Sequence, residues 1–110
     1  MISIKKLSKL LDIKQSKLTS LLKDKNLLIT YPYINPIAIT QGNARYSIAK
    51  VGRMQFPTPN YRVSYVLDLI EGREALEPIA DKDSAVAECE KHIQIQRDKA
   101  MGYIPVDEVF

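Results

Sequence analysis

Two leucine-rich segments near the start of the chain repeat the spacing that gives a helix one apolar face. Their apolar residues stand three and four positions apart and are Leu7, Leu10 and Leu11 in the first segment and Leu18, Leu21 and Leu22 in the second. Between the segments, Asp12-Ile13-Lys14 is too short for a separate loop, and Ile13 would fill the corner between two packed helices. The pattern predicts a helix-turn-helix over residues 3–28.

Capping residues give the expected bounds of the two helices. Ser3 is a suitable N-cap, so the first helix should begin there and end near Leu11. Asp12 followed by Gln15 resembles a second capping signal. The second helix should therefore begin between these two residues and run to about Lys25.

The exposed face of the second helix is polar in this prediction. It carries Lys14, Gln15, Ser16, Lys17, Thr19, Ser20 and Lys23. These residue types suit DNA, because lysine pairs with phosphate or guanine, glutamine can hold adenine through two hydrogen bonds, and serine or threonine can serve either role. The same composition is common on a helix face that meets only solvent. The rest of the chain must decide between the two interpretations.

Residues that favour β-structure follow the two helices. Residues 27–31 should form a strand, whereas residues 32–43, with two prolines and a Gly-Asn end, predict an irregular arm with a short extended piece at residues 37–40. Residues 45–51 alternate between two faces and predict a strand of a hairpin. Two helices followed by two strands predict a winged helix-turn-helix. The wing cations placed to hold phosphate or a minor groove are Arg45, Lys50 and Arg53.

The second half of the chain predicts further helices. Thr58 followed by Pro59 is a suitable helix start, so a helix is expected over residues 59–71. Its buried side would comprise Val63, Val66, Leu67 and Ile70. A strand is the alternative, because residues 61–69 also alternate and include β-favouring types. An acidic connector should then occupy residues 71–83.

The clearest helix of the second half should begin at Asp83 or Ser84 and continue to Met101, before Gly102. Its narrow stripe comprises Val86, Cys89, Ile93, Gln96 and Ala100. The stripe could pack on the first half of the chain or pair with a copy of itself in a homodimer. The tail, residues 103–110, could dock as an extended strand or fray.

The predicted elements give an α+β fold that is mostly helical, and the length of the chain favours one compact domain. A chain of 110 residues can bury a core without disulfides or metals. Residues 1–56 should form the winged helix-turn-helix, and residues 57–110 an acidic helical region that completes the core or mediates dimerisation. The charges divide similarly, since residues 1–62 hold 11 Lys/Arg and 2 acids, while residues 63–110 hold 5 and 11. A positive first half attracts polyanions, so function is expected there.

Features of several other protein classes are missing from the sequence. Cys89 has no partner for an internal disulfide, no apolar run could span a membrane, and the N-terminus lacks a secretory core, so a cytoplasmic protein without membrane contact is expected. Cys89 and His92 alone cannot complete a structural zinc site, and the glycines are isolated rather than grouped in a phosphate loop. We therefore predict no enzyme, no metal, no cofactor and no small-molecule ligand.

Short motifs in the first half are similar to those of a known family. Leu27-Leu28 follows the second helix, and Gly42-Asn43-Ala44-Arg45-Tyr46-Ser47 comes later, in the order found in MerR-type regulators and phage excisionases. The resemblance covers residues 2–51. It implies that the second helix and the wing bind double-stranded DNA, in a regulator or an excisionase-like architectural factor of a phage or mobile element. Residues 7–33 also resemble, more loosely, the carboxy-terminal domain of phage antirepressors.

Two functions from different classes follow from these patterns. The first is a small sequence-specific protein that binds double-stranded DNA. The alternative is a protein-binding adaptor or inhibitor, in which the helix-turn-helix has no DNA role and the acidic second half, with Ile95 and the tail, carries the partner surface. The charge split favours the first, because the adaptor does not need it.

Overall fold

Two helices joined by a three-residue turn form the first part of the fold, as the leucine spacing predicts. The computed structural model describes residues 1–100 of the chain. Helix α1 spans Ile4–Leu11, and helix α2 spans Gln15–Asp24. The Ser3 hydroxyl caps α1 by accepting a hydrogen bond from the Lys6 N–H at 3.3 Å. The predicted start of the first helix is therefore confirmed.

The turn between α1 and α2 differs from the predicted second cap. Asp12 lies in the left-handed region, with φ 55° and ψ 47°, and its N–H donates to the Lys9 carbonyl at 3.3 Å. Aspartate tolerates this conformation, which closes a helix rather than starting one. The residue before α2 is Lys14, whose side chain makes no capping hydrogen bond. The second helix therefore begins without the cap that Asp12 and Gln15 were expected to supply.

Two short strands follow α2. Strand β2 (Leu28–Thr30) lies within the strand predicted over residues 27–31. It pairs antiparallel with strand β3 (Tyr33–Ile34), which belongs to the segment expected to be irregular. The Ile34 N–H leaves this small sheet and donates to the Tyr46 hydroxyl at 2.8 Å. The segment is therefore ordered by partners that are distant in sequence.

Helix α3 spans Pro36–Thr40, so the extended piece predicted at residues 37–40 is wrong. Two neighbouring residues explain why a helix forms. Asn35 caps α3, since its side-chain oxygen accepts a hydrogen bond from the Ile37 N–H at 3.0 Å. Pro36 occupies the first helical position, where a missing N–H costs nothing and the restricted φ suits the helix.

A long hairpin forms most of the larger sheet. Strand β4 spans Ala44–Val51 and confirms the strand predicted over residues 45–51. Strand β5 spans Met54–Tyr61 and pairs with β4 along its whole length. The short strand β1 (Ile2–Ser3) pairs with the other side of β5, so the order in the sheet is β1–β5–β4.

Strand β5 corrects the prediction that a helix begins at Thr58 and Pro59. Both residues lie within β5, and helix α4 spans Val63–Ile70. Proline is tolerated in β5 because β1 pairs only with Asn60 and Tyr61, which leaves the preceding part of β5 with a free edge. The predicted helix exists, but it is shorter at its start.

Helix α4 buries a different face from the predicted one. Its buried residues are Tyr65, Val66 and Leu69. Of the predicted stripe, only Val66 is buried, whereas Val63, Leu67 and Ile70 are half-buried. Leu67 and Ile70 border a groove beside α2. The orientation of α4 therefore leaves part of its apolar side open to solvent.

Helix α5 spans Lys82–Ala100 and begins slightly earlier than predicted. Asp81 caps it, because one carboxylate oxygen accepts from the Ser84 N–H at 3.1 Å and the other from the Ser84 hydroxyl at 2.8 Å. The side-chain cap explains the earlier start. The predicted end at Met101 and the tail over residues 103–110 lie outside the described residues.

The stripe of α5 packs inside the chain. Its buried residues follow a spacing of four and are Ala85, Cys89 and Ile93. The other residues predicted on the stripe are half-buried and are Val86, Gln96 and Ala100. The stripe is shifted because α5 packs against β3, α3 and β4, where the Cys89 thiol donates to the Ile34 carbonyl at 2.8 Å. The core therefore uses this stripe without a second copy of the chain.

One hydrophobic core joins the two halves of the chain. It includes residues from α1, α2, both sheets, α4 and α5, together with Leu76 of the connector over residues 71–81. In the described part of the chain the fold is α+β, with five helices and antiparallel strands. No helix within residues 1–100 combines the length and the apolar character needed to cross a bilayer.

Truncating Leu18 to alanine should destabilise the fold. Leu18 is fully buried, and loss of a buried leucine side chain typically costs about 2 to 5 kcal/mol, a large part of the free energy of unfolding of a small domain. Leu10→Ala is the matched control, because Leu10 is 62% exposed. Urea denaturation followed by circular dichroism measures both changes. Equal stability of the two variants would show that Leu18 does not support the core.

Acid should weaken the start of α5 through Asp81. Hydrogen bonds from the Ser84 N–H and hydroxyl hold the pKa of the Asp81 carboxyl below its usual range. The stabilisation is therefore complete above the unfolded pKa of about 3.9 and is lost as the pH falls through the lower folded pKa. Asp81→Asn keeps a cap without a carboxyl, so its melting temperature should fall less than the parent's between about pH 5 and pH 3.

The control for this pH experiment is Asp83→Asn. It removes a charge from the first turn of α5 but leaves the Asp81–Ser84 hydrogen bonds in place. It should follow the acid sensitivity of the parent more closely than Asp81→Asn does. An equal fall in melting temperature for Asp81→Asn and the parent would contradict the assigned role of the cap.

Candidate nucleic-acid interface

The polar residues predicted for the second helix are largely exposed. The exposed ones are Lys14, Gln15, Ser16, Lys17, Ser20 and Lys23. Thr19 is half-buried, and its hydroxyl donates to the Gln15 carbonyl at 2.9 Å. Most of this set is therefore accessible to a ligand, whereas the Thr19 hydroxyl is partly engaged within α2.

These side chains divide between two sides of α2. Gln15 borders a cleft whose opposite wall includes Thr58 and Pro59 of β5. Lys17 and Ser20 border a different groove, whose opposite wall is α4. Two residues correspond to about 200° of rotation around a helix, which places Gln15 and Lys17 on different sides. The predicted set therefore does not form one contact surface.

The cleft beside the start of α2 encloses about 240 Å³. Its walls are formed by Ser3, Ile4, Lys5, Gln15, Tyr31, Thr58 and Pro59. Lys5 supplies a positive charge, and none of the described residues that line the cleft is acidic. The Tyr31 side chain is 51% exposed and adds aromatic surface. A cation, hydrogen-bonding groups and an aromatic ring are the kinds of groups that contact nucleic acids.

The start of α2 is itself electropositive. Lys14 precedes the helix in an extended conformation and provides no side-chain cap. The first-turn N–H groups and the helix dipole therefore place partial positive charge at this end. Gln15, the first residue of α2, borders the cleft. A phosphate group near this end would be stabilised by both the helix and Lys5.

Acidic residues of the surrounding structure lie away from the cleft. Asp24, at the end of α2, borders a pocket that also includes Glu74 of the connector. Helix α2 has ten residues, which separates Asp24 from Gln15 by roughly 13 to 14 Å along the axis. Asp12 borders a third pocket together with Lys14. At the end of α2, Asp24 stands between Lys23 and Lys25, so cations and acids are mixed there, whereas the cleft at the start of the helix is lined by a cation and no acid.

The register of the β4–β5 hairpin places its side chains on two faces. Tyr46 is buried and lies on the inner face, so its neighbours Arg45 and Ser47 lie on the outer face. Ser47 pairs with Thr58, which borders the cleft. Arg45, which is exposed, therefore shares a face of the sheet with a residue of the cleft wall.

Lys50 lies on the opposite face from Arg45, so the three predicted wing cations do not act on one surface. Its Nζ donates to the carbonyl of Ala100, the last residue of α5 that the structure describes, at 3.0 Å. Arg53 lies in the exposed turn between the two strands, next to Gly52. Of the three cations, Arg45 lies on the face of the sheet that includes Thr58 of the cleft. Lys50 lies on the other face and contacts α5, and Arg53 lies at the tip of the hairpin.

Of the seven residues that line the cleft, Gln15 alone belongs to the predicted set, and the six that the sequence prediction misses include Lys5, Tyr31 and Thr58. The pairing of β1 with β5 brings the start of α1 beside Thr58. Lys5 could have been found from the lysine-rich first helix, which carries part of the positive charge. Tyr31 and Thr58 have no comparable signal, because their positions depend on the packing of separate elements.

Comparison with models of protein families, with curated proteins and with solved structures gives no match to this chain. Within residues 1–100, no group of three or more His, Cys, Asp or Glu side chains is placed to hold a metal ion. Four features of the described residues bear on function: the cleft, the exposed face of α2, the outer face of the hairpin, and the groove between α2 and α4.

Proposed function

We propose that the protein binds double-stranded DNA with sequence specificity, as a winged helix-turn-helix. In this proposal α2 enters the major groove, and the β4–β5 hairpin is the wing that contacts the backbone. The observation that carries the proposal is that the start of α2 and strand β5 border one cleft. This cleft contains Lys5 and Gln15 and has no acid among its described lining residues.

The distribution of charge supports the proposed orientation. Residues 1–62 contain 11 Lys/Arg against 2 acids. Those acids, Asp12 and Asp24, lie outside the cleft, and Glu74 of the connector lies near the end of α2. A DNA duplex would be attracted to this basic half and would meet no acidic side chain in the lining of the cleft at the start of α2.

Different residues would read the bases and hold the backbone. Gln15 and Ser16 are at the start of α2, the part of a recognition helix that reaches base edges. Lys5 in the cleft and Arg45 on the outer face of the hairpin suit phosphate contacts. Lys17 faces the groove beside α4, so we assign it a smaller part in base reading.

The resemblance to MerR-type regulators and phage excisionases suggests the biological class. We infer a transcription regulator or an excisionase-like architectural factor of a phage or mobile element. A homodimer remains a prediction for this class. It would need the exposed side of α5, where Ile95 is 50% exposed, because the buried side already packs within the chain.

A protein-binding adaptor or inhibitor is the second candidate, and an apolar groove favours it. The groove lies between α2 and α4 and has a volume of about 420 Å³. Its apolar lining residues are Leu11, Ile13, Leu21, Leu67 and Ile70. A partner helix could place its apolar face there, on the side of α2 away from the cleft.

Selection of bound sequences from a pool of random duplexes tests the main proposal. We expect a defined site to be enriched, and we expect the selected duplex to compete better than a random one. Binding to heparin that is reversed only by salt would agree with this result. A protein that selects no duplex and does not bind heparin would favour the adaptor.

Replacing Gln15 with alanine should relax sequence preference at particular base pairs. A good bidentate contact to a base contributes about 1 to 3 kcal/mol of discrimination, so the cognate duplex should lose affinity while a random duplex changes little. Gln94→Ala, on α5, is the matched control. Competition binding with both duplexes measures the difference. Equal losses for the two duplexes would mean that Gln15 does not read bases.

Replacing Arg45 with alanine should instead weaken binding to all duplexes by a similar factor. Loss of one phosphate contact should flatten the slope of log affinity against log salt by nearly one unit. Arg73→Ala is the matched control, because it removes the same charge from the acidic connector. Titrations at several salt concentrations measure the slope. An unchanged slope for Arg45→Ala would remove Arg45 from the interface.

A further inference from the structure

Apolar side chains are exposed on one face at the tip of the hairpin. Val51, Met54 and Phe56 have exposed fractions of 67%, 62% and 43%. Val51 pairs with Met54, and Ala49 pairs with Phe56, so these residues lie on the same outer face as Arg45. A contiguous group of exposed apolar residues is typical of a binding surface, whereas single exposed ones are common everywhere.

The inner face of the hairpin is supported by the rest of the fold. Tyr46 is buried in the core, and Lys50 binds α5 through the Ala100 carbonyl. Residues 49–54 are all exposed, so the tip extends beyond the core while its base is held. The exposed apolar face therefore belongs to a hairpin whose other face is held by contacts with the rest of the fold.

The charges of the hairpin indicate what could cover this apolar face. Within residues 44–61 the charged residues are Arg45, Lys50 and Arg53, and all are cations. A matching partner offers negative charge beside apolar surface. A DNA duplex does so, with phosphates outside and stacked bases inside, and proteins of the minor groove insert apolar side chains such as methionine between base steps.

The distance between the cleft and the tip also suits DNA. Thr58 borders the cleft, and Met54 is four residues away, which corresponds to about 13 Å along an extended strand. The major groove is about 12 Å wide. With α2 in that groove, the tip would extend past the bordering phosphates towards the adjacent minor groove.

We propose that the tip of the hairpin inserts Met54, supported by Val51, between base pairs in the minor groove and bends the duplex. This inference rests on the proposed DNA binding and adds a defined distortion of the DNA to it. Arg45 and Arg53 would hold phosphates on the two sides of the inserted residues. The cost of unstacking would be offset by the additional contacts that a bent duplex makes with the protein.

Energy transfer between dyes at the two ends of a selected duplex tests the inference. The full chain should bend this duplex by roughly 20 to 90°, the range of proteins that insert apolar side chains. A Val51→Thr, Met54→Gln variant should still bind the duplex but leave it close to straight. Met54→Gln alone should reduce the bend in the same direction. Ile37→Gln, which makes an exposed apolar residue of α3 polar, should leave the bend unchanged.

The outcomes separate this inference from the function on which it rests. If the parent binds no duplex, the proposed DNA binding fails and the insertion fails with it. If the parent binds but does not bend the duplex, or if the double variant bends it equally, only the insertion is wrong. Loss of vesicle binding or of self-association in the double variant, with an unchanged bend, would assign the tip to a membrane or to a second copy instead.

Discussion

The backbone N–H and carbonyl of Ile34 join three parts of the fold through two hydrogen bonds. Its N–H donates to the Tyr46 hydroxyl in β4, and its carbonyl accepts from the Cys89 thiol in α5, both at 2.8 Å. Ile34 is fully buried, so leaving either group unpaired would carry a large desolvation cost. Burial raises the pKa of both Tyr46 and Cys89, which keeps both side chains protonated. The hairpin and α5 are therefore held in one arrangement around β3.

A second buried contact extends this arrangement to the end of α2. The side-chain amide of Asn35 donates to the backbone carbonyl of Asn26 at 2.9 Å. The side-chain amide of Asn26 in turn donates to the backbone carbonyl of Leu76, in the connector, also at 2.9 Å. Asn26 adopts a left-handed conformation, with φ 63°, just after α2. The end of α2 is thus tied to the segment that carries Ile34. Since Ile34 also positions the hairpin, the cleft between the start of α2 and Thr58 depends on residues that do not line it.

The sequence predicts local features of this fold better than features that need distant partners. The leucine periodicity predicts α1 and α2 because burial of one helix face leaves a local pattern. The second strand of the hairpin is harder to predict, because Pro57 and Pro59 oppose a strand unless a free edge is available, and the length of β1 decides that. Asn35 followed by Pro36 is a local signal for the start of a helix. The prediction of an irregular arm over residues 32–43 does not use this signal and therefore misses α3. The sequence predicts that the polar face of α2 is exposed. It does not predict that the polar side chains divide between the cleft and the α4 groove, because that division depends on where β5 and α4 pack.

Side chains alternate between the two faces of the hairpin, and this alternation separates residues that support the fold from residues available to a ligand. Arg45 and Val51 are six positions apart and share the outer face, whereas Lys50 is an odd number of positions from both and lies on the inner face. A one-residue slip would exchange these faces, exposing Tyr46 and burying Arg45. Gly52, with φ 62°, adopts the left-handed conformation that a tight hairpin turn requires, and the turn sets the register. The turn is therefore needed for the candidate interface as much as for the core, because one register gives both.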